Sequence, residues 1–151
     1  MTDLVQTGSI QAIDGSNLTE NLIYMPHNIE AEQGLIGALL VNNEVYDKIS
    51  QLINPQHFFD PVHQRIYEVA VEKISRNSLA SPVTLKTNFQ NDLGLKELGG
   101  VSYLAKLAAS AISMFGAVDF AKLICELALR RNLINLGRNI SEKALSTDIE
   151  Q

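Results

Sequence analysis

The sequence predicts an all-α protein, a compact multi-helix head followed by a long helix that is the first arm of a helical hairpin. Three observations carry this expectation. No stretch alternates apolar and polar residues with period two, and no Asn-Gly or Asp-Gly pair separates two strand-like runs. Apolar residues recur at helical spacing instead, twice behind a cap-then-proline pair, Asp60-Pro61 and Ser81-Pro82. Ala117 to Leu145 contains no proline and a single glycine, enough for a helix of about 40 Å.

Residues 1–25 mix Gly, Ser, Asn and Thr with scattered Leu and Ile and predict a flexible N-terminal arm, in which Leu22-Ile23-Tyr24 can dock as a short segment. The head is expected over residues 26–112. Asn28 is a candidate N-cap for a helix from Ile29 to Leu40, with Glu30 and Glu32 complementing the first-turn dipole. Ala31, Gly34 and Ala38 form a stripe of small residues there. Gly34 and Gly37 inside a helix point to close approach of another backbone. Val45, Ile49, Leu52 and Ile53 suggest a second short helix that Asn54-Pro55 ends. Asp60-Pro61 starts a helix whose face is Val62, Ile66, Val69, Ala70 and Ile74. Behind Ser81-Pro82, Leu85, Phe89 and Leu93 fall four apart, with Gly94 expected just past the helix end. Leu95 to Leu98 gives one turn before Gly99-Gly100, and Val101, Leu104, Leu107, Ala108 and Ala111 a further helix.

The long helix is expected over residues 113–146 with Ser113 as its cap. Its apolar stripe reads Phe120, Leu123, Ile124, Leu127 and Ala128, continued by Leu133, Leu136, Ile140 and Ala144. A helix of this length exceeds what a small head needs, so part of it projects, and a projecting apolar face needs a partner. Phe120, Leu123, Ile124, Leu127, Leu133 and Leu136 are therefore candidate self-association residues. Residues 147–151, with Thr147 or Asp148 as a cap, are expected to begin a truncated second arm.

The formal net charge of -5 and pI near 5.1 argue against a strong direct DNA binder. No Lys or Arg precedes Lys48, whereas Arg130, Arg131 and Arg138 cluster on the long helix, as a solvated face or as a binding patch. A single cysteine, Cys125, suits a reducing cytoplasm and, within an apolar helix, a buried inert thiol. The first residues show no basic stretch followed by an apolar one, so no signal peptide is expected, and no apolar run approaches bilayer length.

The sequence contains no phosphate loop and no dinucleotide fingerprint. His27, His57 and His63 lack the spacing and partners of a metal set, so no cofactor, metal or catalytic residue is expected. A small helical hydrolase would need His63 to converge with Glu30 or another carboxylate in a pocket.

Four segments are more specific than their chemistry. Pro26-His27-Asn28-Ile29-Glu30-Ala31-Glu32-Gln33, followed by Leu35-Ile36-Gly37, resembles the opening of bacterial replicative DNA helicases of the DnaB family. Phe58-Phe59, His63 and Ile66-Tyr67 are similar to that family's aromatic and histidine segment. Gly99-Gly100 with Tyr103, Leu104 and Leu107 resembles its G-G-x-x-Y-L-x-x-L helix. Phe120-Ala121-Lys122-Leu123-Ile124 and Arg131 to Ile134 resemble its long helix. Leu79-Ala80-Ser81 departs from the usual P-x-D, and Cys125 stands where a charge is common.

The resemblance covers about Pro26 to Leu145 and implies the helicase's N-terminal domain. In that family this module forms a collar of dimers above a hexameric ATPase ring and docks primase. A helicase loader is a further implied partner. By resemblance, Glu30, Tyr103, Ile134 and Ile140 face primase. The residues themselves allow two occupants for Ile134 and Ile140, a partner groove or a return helix. ATP and Mg would belong to a motor domain beyond Gln151, so this fragment is expected neither to hydrolyse ATP nor to unwind DNA. The alternative is a free-standing helical adaptor or helicase regulator that copies the collar.

Overall fold

A computed structural model describes residues 25–146. The expected arm over 1–24 and the second hairpin arm over 147–151 lie outside the described residues. Seven α-helices follow one another there: α1 (Ile29–Val41), α2 (Val45–Ile49), α3 (Pro61–Ser75), α4 (Pro82–Phe89), α5 (Leu93–Glu97), α6 (Ser102–Ala109) and α7 (Met114–Leu145). A single 3-10 turn, Pro55–His57, lies between α2 and α3. No strand occurs among the described residues.

The starts are those that local chemistry dictates. Asn28 accepts a hydrogen bond from the Ala31 amide at 2.9 Å, Asp60 from Val62 at 2.8 Å, and Ser113 from Gly116 at 3.2 Å. Ser81 and Thr84 form a reciprocal capping box over α4.

α1 is the hub of the head. From Ala31 to Leu40 all but Gln33 are buried, and α6, α7 and α3 pack around it. The close approach is at Gly37, where an added Cβ would collide with the Leu107 carbonyl of α6. At Gly34 an added Cβ would lie 2.9 Å from Ile112 and 3.2 Å from Phe120. The stripe Ala31, Gly34 and Ala38 therefore faces the core and is closed to a second copy. Asn43 ties the end of α1 to the chain before α4, its side chain bonding both the Ala80 amide and carbonyl.

Several expectations shift. The second helix stops at Ile49, and Leu52 and Ile53 pack from the turn that follows. Gly94 is not a helix terminator. Asp92 caps a separate helix at 2.9 Å from the Leu95 amide, and Gly94 lies inside it, because an Asp cap outweighs a glycine stop at this spacing. Leu93 accordingly points outward, 74% exposed. The Gly99-Gly100 pair does end α5: both have positive φ, and the Gly100 amide returns to the Leu95 carbonyl at 2.8 Å. α6 is shorter than its apolar spacing suggests, ending at Ala109.

α6 and α7 meet at 110°. Ala117, Ala121, Ile124 and Ala128 form the α7 stripe that is buried against the head. Beyond Arg131 every α7 side chain except the partly covered Arg138 is exposed. The stripe does not continue. Leu129, Leu133, Leu136 and Ile140 lie roughly a third of a turn away from it. No single helix among the described residues is long and apolar enough to cross a membrane.

Candidate partner surface and the polar anchor beneath it

The face at issue is the distal half of α7. Leu129, Leu133, Leu136 and Ile140 are 58%, 59%, 56% and 61% exposed. Their spacing of four, three and four residues is that of a coiled-coil seam. Of the candidate self-association residues, only Leu133 and Leu136 belong to it. Ile124 is 2% exposed in the head's core, Phe120 and Leu123 pack against that core, and Leu127 is half-buried. The head consumes the proximal face, which the sequence pattern could not separate from the distal one.

The other candidates divide between head and arm. Glu30 is exposed in the first turn of α1. Tyr103 on α6 is buried, and Gln33, one turn along α1 from Glu30, donates to its hydroxyl at 3.0 Å. Ile134 is 37% exposed and lies about a third of a turn away from the seam, whereas Ile140 lies on it. The structure thus brings Glu30 and Tyr103 to one helix pair and leaves the two isoleucines on the projecting arm.

Under the junction of head and arm lies a polar network that sequence reasoning missed. Glu32 is not a surface dipole charge. It is buried, accepting from the Phe59 and Asp60 amides at 2.5 and 3.3 Å and meeting His63 Nδ1 at 2.7 Å. His63 is fully buried and its Nε2 lies 2.8 Å from the Tyr103 hydroxyl. One donor assignment satisfies every atom: Gln33 to Tyr103, Tyr103 to Nε2, and Nδ1–H to the Glu32 carboxylate. Burial foremost pushes the Tyr103 phenol up, as do the nearby Asp60 and Glu32 charges, against the pull of the Gln33 hydrogen bond. Among the described residues no buried side-chain polar atom lacks a partner. The available signal was α1 itself, since a charge inside a helix that is apolar all round must be paired.

Arg131 closes the junction. Its guanidinium donates to the Pro26 carbonyl at 2.7 Å and the His57 carbonyl at 2.8 Å. It also lies 5.3 Å from the Phe59 ring, which stacks on His27 at 4.2 Å. Arg131 is thus an anchor rather than a member of a basic patch. Burial depresses its pKa, with the Glu32 charge acting the other way, and burial beside Arg131 depresses that of His57. One turn and a half earlier, the Cys125 thiol donates to the Leu52 carbonyl at 2.7 Å, and burial pushes its pKa up.

An acid and a histidine do converge, as a hydrolase would require, but on Glu32 and in a sealed core that admits no substrate. The open depression of about 390 Å³ between Pro61, Arg65, Gly94 and Leu98 contains no histidine. Among the described residues no group of three or more His, Cys, Asp or Glu could hold a metal.

The fold and this junction can be set against known proteins. Residues 24–126 match the family model described as DnaB-like helicase N terminal domain. The chain belongs to this family. It is 41% identical over 127 residues to the replicative DNA helicase DnaB of Rickettsia felis, covering 83% of this chain and 26% of that protein. Against the replicative DNA helicase DnaC of Bacillus subtilis it is 30% identical over 125 residues, 83% of this chain and 28% of that protein. The chain therefore spans about a quarter of the length of the curated relatives it matches.

Among solved structures, the N-terminal domain of DnaB helicase from Mycobacterium tuberculosis superposes with a TM-score of 0.73 at 25% identity. That match covers 81% of this chain and 88% of that one. A DnaB-like replicative helicase, described with its interactions with primase, gives a TM-score of 0.63 at 25% identity over 77% and 27% of the two chains. The Helicobacter pylori DnaB N-terminal domain, also described with primase, shares the fold at 16% identity and a TM-score of 0.67, over 85% and 98% of the chains.

Proposed function

We propose that this chain is the collar module of a replicative DNA helicase, joining subunits into a ring and docking primase. It binds and does not catalyse, so ATP hydrolysis and DNA unwinding belong to a motor domain outside this chain, and cytoplasmic replication is its setting. The observation that carries the reading is the exposed seam Leu129, Leu133, Leu136 and Ile140 on a helix fastened to the head by Arg131. Fully burying such side chains is worth about 1.5–3 kcal/mol each. Part of that offsets the lost freedom of the associating partners. Two seams pack as coiled-coil helices do, with knobs in holes.

Sedimentation across a concentration series tests the assembly. The chain should pass from monomer to dimer, and Leu133→Asp with Ile140→Asp should keep the monomer's helix content and abolish the dimer. A dimer that survives both changes would sink the seam as the interface. Primase docking is supported by the family and by the primase-associated neighbours. Glu30, Tyr103, Ile134 and Ile140 are its proposed contacts, Tyr103 acting by holding α6 against α1. Titration with the cognate primase should weaken with Glu30→Lys and with Ile134→Asp, and unchanged affinity in both would remove that surface.

A further inference from the structure

The exposed seam on α7 is bounded at its two ends by opposite charges. Leu129, Leu133, Leu136 and Ile140 follow one another at four, three and four residues. Continued by the same alternation, the next position towards the head is Glu126 and the next one outward is Lys143. Both are exposed. Glu126 meets Arg130 at 2.6 Å through one carboxylate oxygen, so the other oxygen can accept from a partner. The α7 stripe that the head buries lies roughly a third of a turn from this face. The head therefore flanks the seam without covering it.

An acid, four apolar residues and a base along one face decide how a second copy fits on it. In a parallel pair each residue faces itself, so Glu126 meets Glu126 and Lys143 meets Lys143, two like-charged contacts. In an antiparallel pair the same six residues read against their own reverse. Leu129 then meets Ile140, Leu133 meets Leu136, and Glu126 meets Lys143 at both ends. A shift of one heptad in either direction sets Glu126 or Lys143 against a leucine and desolvates a charge.

We propose that two copies of this chain pair through α7 in antiparallel orientation, in the one register that sets Leu129 on Ile140 and Leu133 on Leu136, with Glu126 and Lys143 as the charges that select it. This deepens the self-association proposed above and rests on it. The two Ile124 positions then lie about 30 Å apart along the helix axis, so the heads stand at opposite ends of the pair.

Cysteine pairing reads the orientation directly. Leu129→Cys and Ile140→Cys are made separately in a Cys125→Ser background and oxidised, each alone and as an equal mixture. The linked tryptic peptides are identified by mass. Antiparallel copies bring position 129 to position 140, within disulfide reach, and hold the two 129 positions about 16 Å apart along the axis. The mixture should therefore link 129 to 140 about tenfold more than either position to itself. Links of each position to itself would overturn the antiparallel register and leave self-association standing.

Charge gives an independent readout should a cysteine weaken the seam too far. In low salt Lys143→Glu should raise the dimer dissociation constant about tenfold by sedimentation, and adding Glu126→Lys should bring it back to within about threefold of the parent. The difference should narrow as salt rises. In a parallel pair Lys143→Glu exchanges one like-charged contact for another, so an unchanged constant would overturn the proposal. So would a chain that stays monomeric at every concentration, which would also remove the self-association reading and assign the seam to another segment or protein.

Discussion

The two halves of α7 share one helix and each carries an apolar stripe, yet they live in different environments. The proximal stripe is Ala117, Ala121, Ile124 and Ala128, three of four side chains small, so the helix axis can lie close to α1. The distal seam is three leucines and an isoleucine with nothing from the described head against it. The change occurs at Arg130 and Arg131, where the apolar face swings round the helix and a half-buried guanidinium grips two carbonyls. The contrast teaches that amphipathicity alone does not say which partner a face is for. Residue size and angular position do, small residues for a neighbour already present and large ones for a neighbour still to come.

The largest test of the contrast is truncation within the proximal stripe. Ile124→Ala should cost about 2–5 kcal/mol, read from the urea midpoint of the monomer. Next is the border. Arg131→Ala removes two charge-assisted hydrogen bonds and the contact with Phe59, and should cost about 2 kcal/mol. It should also free the chain at Pro26, visible as faster exchange around Met25 and His27. Arg131→Lys should recover only part of this, since an ammonium lacks the fork that reaches two carbonyls.

A thiol probe sharpens the comparison without changing packing much. Cys125, half-buried and bonded to the Leu52 carbonyl, should alkylate at pH 8 roughly ten times more slowly than a cysteine placed by Asn132→Cys in a Cys125→Ser background. Equal rates would mean that the proximal half is no better covered than the distal one. The smallest expected effect is Leu136→Ala, within about 0.5 kcal/mol of the parent for the monomer. Its effect should appear instead as a weaker dimer. A loss of more than about 1 kcal/mol in dilute monomer would show the seam already covered within the single chain.

Much of the architecture was legible because it is written in short-range chemistry. Caps at Asn28, Asp60, Ser81 and Ser113 act within one turn, and the Gly37 contact with α6 shows as a glycine where a helix would otherwise disfavour one. Gly94 misled for the same reason, since a glycine after a helical run and one inside the next helix look alike until Asp92 is seen to cap. The site was less legible. Glu30 and Glu32 are near-identical in local sequence, yet one is solvated and the other is buried against His63, Phe59 and Asp60.

By itself, then, the sequence determined the all-α class, the helix starts at Asn28, Asp60, Ser81 and Ser113, the length of the last helix and the family, since each rests on spacing or on motifs read along the chain. Only the tertiary structure decided which α7 side chains are core and which are free, that Tyr103 is buried, and that Glu32, His63 and Arg131 are structural anchors. Those outcomes depend on residues dozens of positions apart meeting in space. A charge or an apolar side chain takes its role from the neighbour that the fold brings to it.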